Sequence, residues 1–319
     1  MKSKMINNVI LKGRVYDIKL VNKVAGPNAN KPGANFISGD LEIATDEEGL
    51  NIVPFHMTYC TEKTKKGAVN NTYTVLNTII TQGKSWVKSG KEEAPIVQID
   101  SSLGLNDFFT DDDEHISAKR VDGGFIKFIR ATDLDEDEKE RSKFVLDMVI
   151  NRAVEIEANE ETGTPESARI YGNVFNFKND ILPVDFVVED PSGVKYFLDI
   201  DPSNEAPLFT NVWGSIISRA GTKTVITQSA FGESLVTKIP TSKKKWEVAG
   251  SESEPYEFGE ENTITFEDLK TAAENREVYL ADIKKKRDEY NAQRDAVAAT
   301  PSGDFTPTNM NPPTGEFKF

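Results

Sequence analysis

Several aromatic residues in this sequence stand beside cations. Tyr16 follows Lys12 and Arg14 at a spacing of two, and Trp86 lies between Lys84 and Lys88. Trp213 precedes Arg219 and Lys223, and Trp246 directly follows Lys243, Lys244 and Lys245. Tyr59 and Tyr171 fall in strand-like stretches. An aromatic ring offers a π-face on which a base can stack, at about 1–3 kcal/mol for each base, and a neighbouring cation offers a partner for phosphate. That pairing is the chemistry of a surface for single-stranded nucleic acid. An aromatic on a strand is equally at home in a core, and Phe175, Phe186 and Phe197 read as core. Lys12 and Arg14 are the firmer candidates, because strand alternation turns both outward.

Catalytic chemistry finds no comparable footing. There is no Gly-rich phosphate loop of the form G-x-x-x-x-G-K-[ST], no G-x-G-x-x-G after a strand, and no zinc spacing. The single cysteine, Cys60, excludes an internal disulfide framework, and His56 and His115 are the only histidines. His56 and Cys60 are four apart in a stretch that alternates like a strand, so they share a face as bystanders. Asp133, Asp135 and Asp137 begin like a calcium loop, but Glu138 stands where glycine belongs and Phe144 where glutamate belongs. A two-metal nuclease would have to be assembled from Asp40, Asp185 and Asp199, which nothing in their spacing pairs. The reading is therefore of a non-enzyme without cofactor or metal.

Charge is unevenly distributed. The chain has a net charge of -14, yet residues 1–90 hold 12 Lys/Arg against 7 Asp/Glu, a balance of +5 that leaves -19 for the remainder. Residues 207–246 hold Arg219, Lys223, Lys238, Lys243, Lys244 and Lys245 against Glu233 alone. Two basic segments in an acidic chain suit a protein that attracts polyanions at chosen places and repels them elsewhere. Hydrophobic residues make up 38%, the mean hydropathy is -0.46, and no apolar run approaches the roughly 18 residues of a membrane span. With no signal-peptide core after Met1, a cytoplasmic location is expected, the host cytoplasm if the chain is phage-encoded.

Periodicity supplies the elements that would hold these side chains. The run Met5–Val15 alternates as an opening strand, with Val9 and Leu11 on one side, Lys12 and Arg14 on the other, and Gly13 where it must bend. Residues 36–44 and 50–59 read as a hairpin turning at Thr45–Gly49. Residues 72–82 switch to helical spacing, with Thr72 as cap and Gly83 as stop. Residues 85–87 and 95–100 are expected strands, and 124–129 is expected to close this unit or lead out of it. Leu11–Lys19 aligns without a gap on Ile170–Lys178, which suggests a duplicated module. In that second unit a hairpin is expected to close at Asp190–Gly193, and Phe144–Glu157 reads as an extra hairpin arm. Thr265–Ala298 is one long helix, whose stripe of Phe266, Leu269, Ala273, Leu280, Ile283 and Tyr290 packs on the second unit or pairs two copies. After Thr300 the chain is Pro-, Thr-, Gly- and Asn-rich, so disorder is expected.

The run M-I-N-N-V-I-L-K-G-R-V at Met5–Val15 resembles the first strand of bacterial single-stranded-DNA-binding proteins. The Val212–Arg219 segment, V-W-G-S-I-I-S-R, resembles their fourth. The resemblance, taken with the tandem layout, implies a phage-type relative: mainly β, two tandem OB-like barrels, a long C-terminal helix and a disordered tail. The expected divisions are 1–130 and 144–264 for the barrels, 131–143 for an acidic linker, 265–298 for the helix and 299–319 for the tail. It further implies sequence-independent binding of single-stranded DNA during replication, recombination or repair. Lys12, Arg14, Tyr16, Tyr59, Lys84, Trp86, Lys88, Tyr171, Trp213, Arg219, Lys223, Lys243, Lys244, Lys245 and Trp246 would carry the strand. Phe317 and Phe319 would dock replication or recombination proteins, although Lys318 stands where such tails are acidic, and a tail that only keeps the protein soluble is the other reading. A structural or protein-interaction protein of a phage and an RNA-binding OB protein are the alternatives.

Overall fold

Strand β1 (Asn7–Val24) follows the alternation of its sequence: Val9, Leu11 and Val15 are buried, while Ile10, Lys12, Arg14 and Tyr16 lie on the opposite side, half-exposed. This strand is 18 residues long and changes partner along its length. In the computed structural model, which describes residues 5–27, 29, 31–159, 165–227, 231, 235–260 and 263–298 (backbone only for 220–227, 235–242 and 295–298), its first part pairs with two strands at once and its second part with a third. A bulge between Val15 and Asp17 lies within the pairing with β2 (Asn35–Ala44). A Cβ on Gly13 would lie 2.1 Å from the Ala44 carbonyl oxygen, so only glycine lets β2 arrive there.

The chain continues through β3 (Ile52–Thr61), α1 (Asn71–Gln82), α2 (Trp86–Ser89), β4 (Ile96–Phe109), β5 (His115–Phe128), β6 (Ser142–Ile156), β7 (Ser167–Phe175), β8 (Ile181–Val188), α3 (Pro191–Ile200), β9 (Leu208–Thr227), β10 (Leu235–Ser251) and α4 (Phe266–Ala298). The expectation of two tandem OB-like barrels is overturned. The ten strands hydrogen-bond into one continuous sheet of order β2-β3-β5-β4-β1-β6-β7-β8-β10-β9, with β2–β1 and β6–β9 as further pairings. The seam between its halves is the antiparallel pair β1–β6, from Asn7 opposite Leu146 to Leu11 opposite Ser142. One apolar core accordingly runs through both halves, from Leu41 and Phe55 to Phe144, Phe186 and Trp246. What stands is a mainly β chain with a long helix late in the sequence; the expected tail, 299–319, lies outside the described residues.

Pairing in one half repeats in the other. β1–β2, β2–β3, β1–β4 and β4–β5 are antiparallel and β3–β5 parallel; β6–β7, β7–β8, β6–β9 and β9–β10 are antiparallel and β8–β10 parallel. By this correspondence β6 matches β1 and β7 matches β2, which corrects the alignment of Leu11–Lys19 on Ile170–Lys178. The counterpart of Gly172 is Gly39: added Cβ atoms would meet the carbonyl oxygens of Val149 at 2.1 Å and of Lys19 at 2.4 Å, each on the first strand of its half. Phe144–Glu157 is no additional arm but β6 itself.

Three local readings change with their capping chemistry. Asn70, not Thr72, caps α1 by accepting from the Thr72 amide at 3.2 Å, while Gly83 ends the helix at φ 63° as expected. Ser85 accepts from the Lys88 amide, so the expected strand at 85–87 is the short helix α2. At Asp190-Pro191 the carboxylate accepts from the Ser192 and Gly193 amides and proline occupies the first helical turn, so the expected hairpin turn starts α3.

Helix α4 begins where expected, with Thr265 Oγ1 accepting from the Asp268 amide and the Asp268 carboxylate accepting from the Thr265 amide. Its first turns place Leu269 and Ala272 against a second cluster of Val149, Phe175, Phe209 and Ile264. Further along it leaves the second half and reaches β4 and its turn: Arg276 Nη1 donates to Asp107 Oδ2 at 2.8 Å, and Lys284 pairs with Asp113 at 2.6 Å. The helix therefore packs on the second half through Leu269 and Ala272 and also ties down the first, while Phe266, Ala273 and Tyr290 of the expected stripe are exposed. No helix among the described residues is long and apolar enough to cross a membrane.

Candidate nucleic-acid interface

Sequence reasoning assigned the candidate residues to two barrels; the structure distributes them over several places on one sheet. One is the outer face of the β9–β10 ribbon. Along β9, Trp213, Ser215, Ile217 and Arg219 alternate with the interior residues Val212, Gly214 and Ile216. Their partners in register on β10 are Gly250, Glu247, Lys245 and Lys243. The indole of Trp213 rests on Gly250, where a Cβ would lie 2.7 Å from the ring, and it stays half-exposed. Lys245 pairs with Glu189 at 2.5 Å and Glu247 at 2.6 Å. Arg219 and Lys243 stand directly opposite one another, both exposed, and among the described residues neither forms an ion pair. Lys244, opposite Ser218, is exposed as well. Lys223 continues β9 opposite Ile239, with its side chain outside the described residues.

The base of this ribbon is held from the other half. Asn51, buried in the β2–β3 connection, accepts from the Ser218 amide at 2.6 Å and donates to the Ile216 carbonyl at 3.1 Å and to Thr45 Oγ1 at 2.8 Å. Ser142 Oγ donates to the same Ile216 carbonyl at 3.0 Å. These bonds fix where the ribbon leaves the sheet.

A second grouping surrounds α2. Tyr16 and Trp86 lie 6.1 Å apart between ring centres, and the Lys91 ammonium lies 5.5 Å from the centre of the Trp86 ring. Gly49 is pressed against the same indole, at 3.0 Å from an added Cβ. The cations expected to reach solvent here are mostly engaged. Arg14 donates to the carbonyls of Lys91 at 2.9 Å and Ala94 at 3.4 Å, which fastens the chain between α2 and β4. Lys12 pairs with Asp135 at 2.9 Å and Lys84 with Glu93 at 2.6 Å; Lys88 remains exposed. Glu47 receives both Lys91 and Arg141, whose hydrogen bonds hold its carboxyl below the ordinary range. Lys91 was not legible as a site residue. With 85–87 read as a strand it lay far from Trp86, whereas a Ser85-capped helix places it beside that ring.

Two aromatic candidates are used elsewhere. Trp246 is 7% exposed and packs against Phe144 and Phe186 at 5.3 and 6.0 Å, so it belongs to the core. Lys243 and Lys245 share the outer face with Arg219 and Ile217, whereas Trp246 faces inward, because successive strand residues face opposite sides. Tyr59 is exposed, but its ring leans on Phe36 at 4.5 Å, away from the other candidates. Tyr171, on β7, is half-exposed with Arg152 5.5 Å above its ring. Phe317 and Phe319 lie outside the described residues.

The carboxylates do not converge. Asp40 faces His56 Nδ1 at 2.7 Å, Asp185 receives Lys119, and Asp199 sits on α3. Asp133 binds Arg130, Asp135 binds Lys12, and Asp137 caps the 3-10 turn Glu138–Arg141. Among the described residues no group of His, Cys, Asp and Glu side chains is arranged to hold a metal ion.

Residues 6–286 match the YorF family, and the chain belongs to it. No curated protein matches the sequence. Among solved structures, the chain has a weak, partial resemblance to a deletion mutant of the single-stranded DNA binding protein from Thermus aquaticus. The TM-score is 0.45 at 12% identity, over 81% of this chain and 98% of that one. At those values the likeness carries no argument about the ligand of this chain.

Proposed function

We propose that the protein binds single-stranded DNA without sequence preference, along the outer face of β9–β10. The observation that carries this reading is the opposed pair Arg219 and Lys243 beside the half-exposed Trp213. Like charges directly across an antiparallel pair destabilise it. Glu189 and Glu247 are committed to Lys245. A phosphate between Arg219 and Lys243 removes the repulsion, and a base laid on Trp213 adds a stack that is indifferent to sequence. Acidic surface elsewhere in a chain of net charge -14 disfavours contacts away from the ribbon.

The test is a fluorescence-anisotropy titration of labelled oligo-dT with the intact protein at low and moderate salt, with duplex DNA as control. Binding to the single strand that weakens steeply with salt supports the reading, since each phosphate contact releases counterions. Absence of binding at low salt overturns it.

A further inference from the structure

The repeated pairing supplies an internal control for a second surface. The outer faces of β1–β2–β3 and β6–β7–β8 occupy matching positions in the two halves, yet their charges differ. On the first, Lys19 pairs with Glu42 and His56 with Asp40, one carboxylate to each. On the second, Tyr171 of β7 lies in register between Arg152 of β6 and Asp185 of β8. Arg169 shares that face two residues away, and Lys119 reaches it from β5. Here one carboxylate serves two cations: Asp185 Oδ1 lies 2.7 Å from Lys119 Nζ, and Oδ2 lies 3.6 Å from Arg169 Nη1.

Arg152 has no carboxylate partner among the described residues; its guanidinium lies 5.5 Å from the centre of the Tyr171 ring. Arg169 Nε is buried without a hydrogen-bond acceptor. The surplus therefore consists of a guanidinium lacking an anion and another that shares its carboxylate and has an unpaired Nε, both near a half-exposed aromatic ring.

We infer that this face is a second nucleotide site, in which Arg152 and Arg169 hold a phosphodiester and the Tyr171 ring takes a base. Sequence reading singled out Tyr171 alone; the arginines become visible only when the two faces are laid side by side. The inference rests on the single-strand reading and deepens it, by giving a long strand a contact remote from the β9–β10 ribbon.

The experiment is photocrosslinking of the full chain to oligo-dT carrying 5-iododeoxyuridine, with the modified peptides mapped. Anisotropy is measured in parallel with short and long oligo-dT. Crosslinks are expected at Tyr171 as well as at the ribbon. Arg152→Glu is expected to remove the Tyr171 crosslink and weaken long-oligonucleotide binding about tenfold while leaving the short one unchanged, whereas Arg152→Lys retains most of both. Tyr171→Leu is expected to lose the crosslink and part of the long-strand affinity without altering the melting curve. Crosslinks confined to Trp213 and its neighbours, with unchanged long-strand affinity in Arg152→Glu, would overturn the second site and leave the ribbon reading intact. Absence of anisotropy change with any oligonucleotide would overturn both.

Discussion

Each half projects a long hairpin, β4–β5 in the first and β9–β10 in the second, in matching places in the pairing scheme. The first collects acid: Asp107, Asp111, Asp112, Asp113 and Glu114 cluster toward its turn. Helix α4 lies against it, with Arg276 on Asp107, and Lys284 and Arg287 on Asp113. The second collects base, Arg219, Lys223, Lys238, Lys243 and Lys244, and Asn51 grips its root while Arg219 and Lys243 are left facing one another. One topology thus serves two ends. Where the chain supplies the counter-charge itself, the hairpin is part of the frame. Where it withholds the counter-charge, the hairpin is left able to take one from outside.

Removing the internal counter-charge should give the largest effect. Asp107 is 1% exposed at its side chain and Arg276 8%, so Arg276→Ala leaves a buried carboxylate short of its main partner. A loss of about 3 kcal/mol is expected from urea unfolding. Asp107→Asn combined with Arg276→Met should recover much of it, because no buried charge then remains.

Charge reversal of the free pair comes next. Arg219→Glu with Lys243→Glu is expected to weaken oligo-dT binding about 30-fold at low salt and to flatten the salt dependence. Asp112→Lys, on the opposite hairpin, should change affinity by no more than about twofold; an equal gain there would mean that only net charge matters. Gly250→Ala puts a methyl 2.7 Å from the Trp213 indole, which must lift. A shift in tryptophan emission and a few-fold loss of strand affinity are expected, checked by fluorescence and anisotropy.

Acid should separate the two hairpins more subtly. Burial alone would raise the Asp107 carboxyl, but Arg276, with Ser117 and His115, outweighs it and the net displacement is downward. A carboxyl held low in the folded state contributes stability above its unfolded pKa of about 3.9, and that contribution is lost as pH falls through the lower folded value. In Arg276→Ala burial dominates, the carboxyl moves up, and the sign reverses: the variant should gain stability relative to wild type as the pH is lowered toward 4. Urea midpoints across pH 3–7 would check this. The smallest effect concerns Cys60, whose thiol burial pushes up to about 11 against a weaker opposing bond from Asn70. It should resist thiol reagents at neutral pH in the folded chain and react fully in urea.

These contrasts were partly legible in the sequence. β1 was readable because one face is core and the other is not, so Val9 and Leu11 alternate with Lys12 and Arg14. β6 was misread because it is covered on both sides. Phe144 and Leu146 enter the main core while Val149 enters the cluster under α4, and the run F-V-L-D-M-V-I loses its period. The repeat was sensed through glycine but set one strand out of place, since Gly13 and Gly172 both sit at close backbone approaches of different origin. Of the candidate site residues, the lysines before Trp246 were readable as basic, whereas the burial of Trp246 depends on strand parity that composition does not show. Arg14 faces outward as expected, and its use as a clamp on the Lys91 and Ala94 carbonyls depends on a loop whose path only the fold defines.

The bond from Arg276 to Asp107 spans 169 residues of chain. During synthesis from the N-terminus, at about 5–20 residues per second, Asp107 is made on the order of ten to thirty seconds before its partner exists. Through that interval the β4–β5 hairpin carries its acidic turn without the helix that neutralises it. The order of manufacture therefore runs against the order of assembly: a hairpin made in the first half of the chain waits for a helix near its end. A nascent chain stalled before α4 should expose that hairpin to protease, and release of the remaining residues should close it.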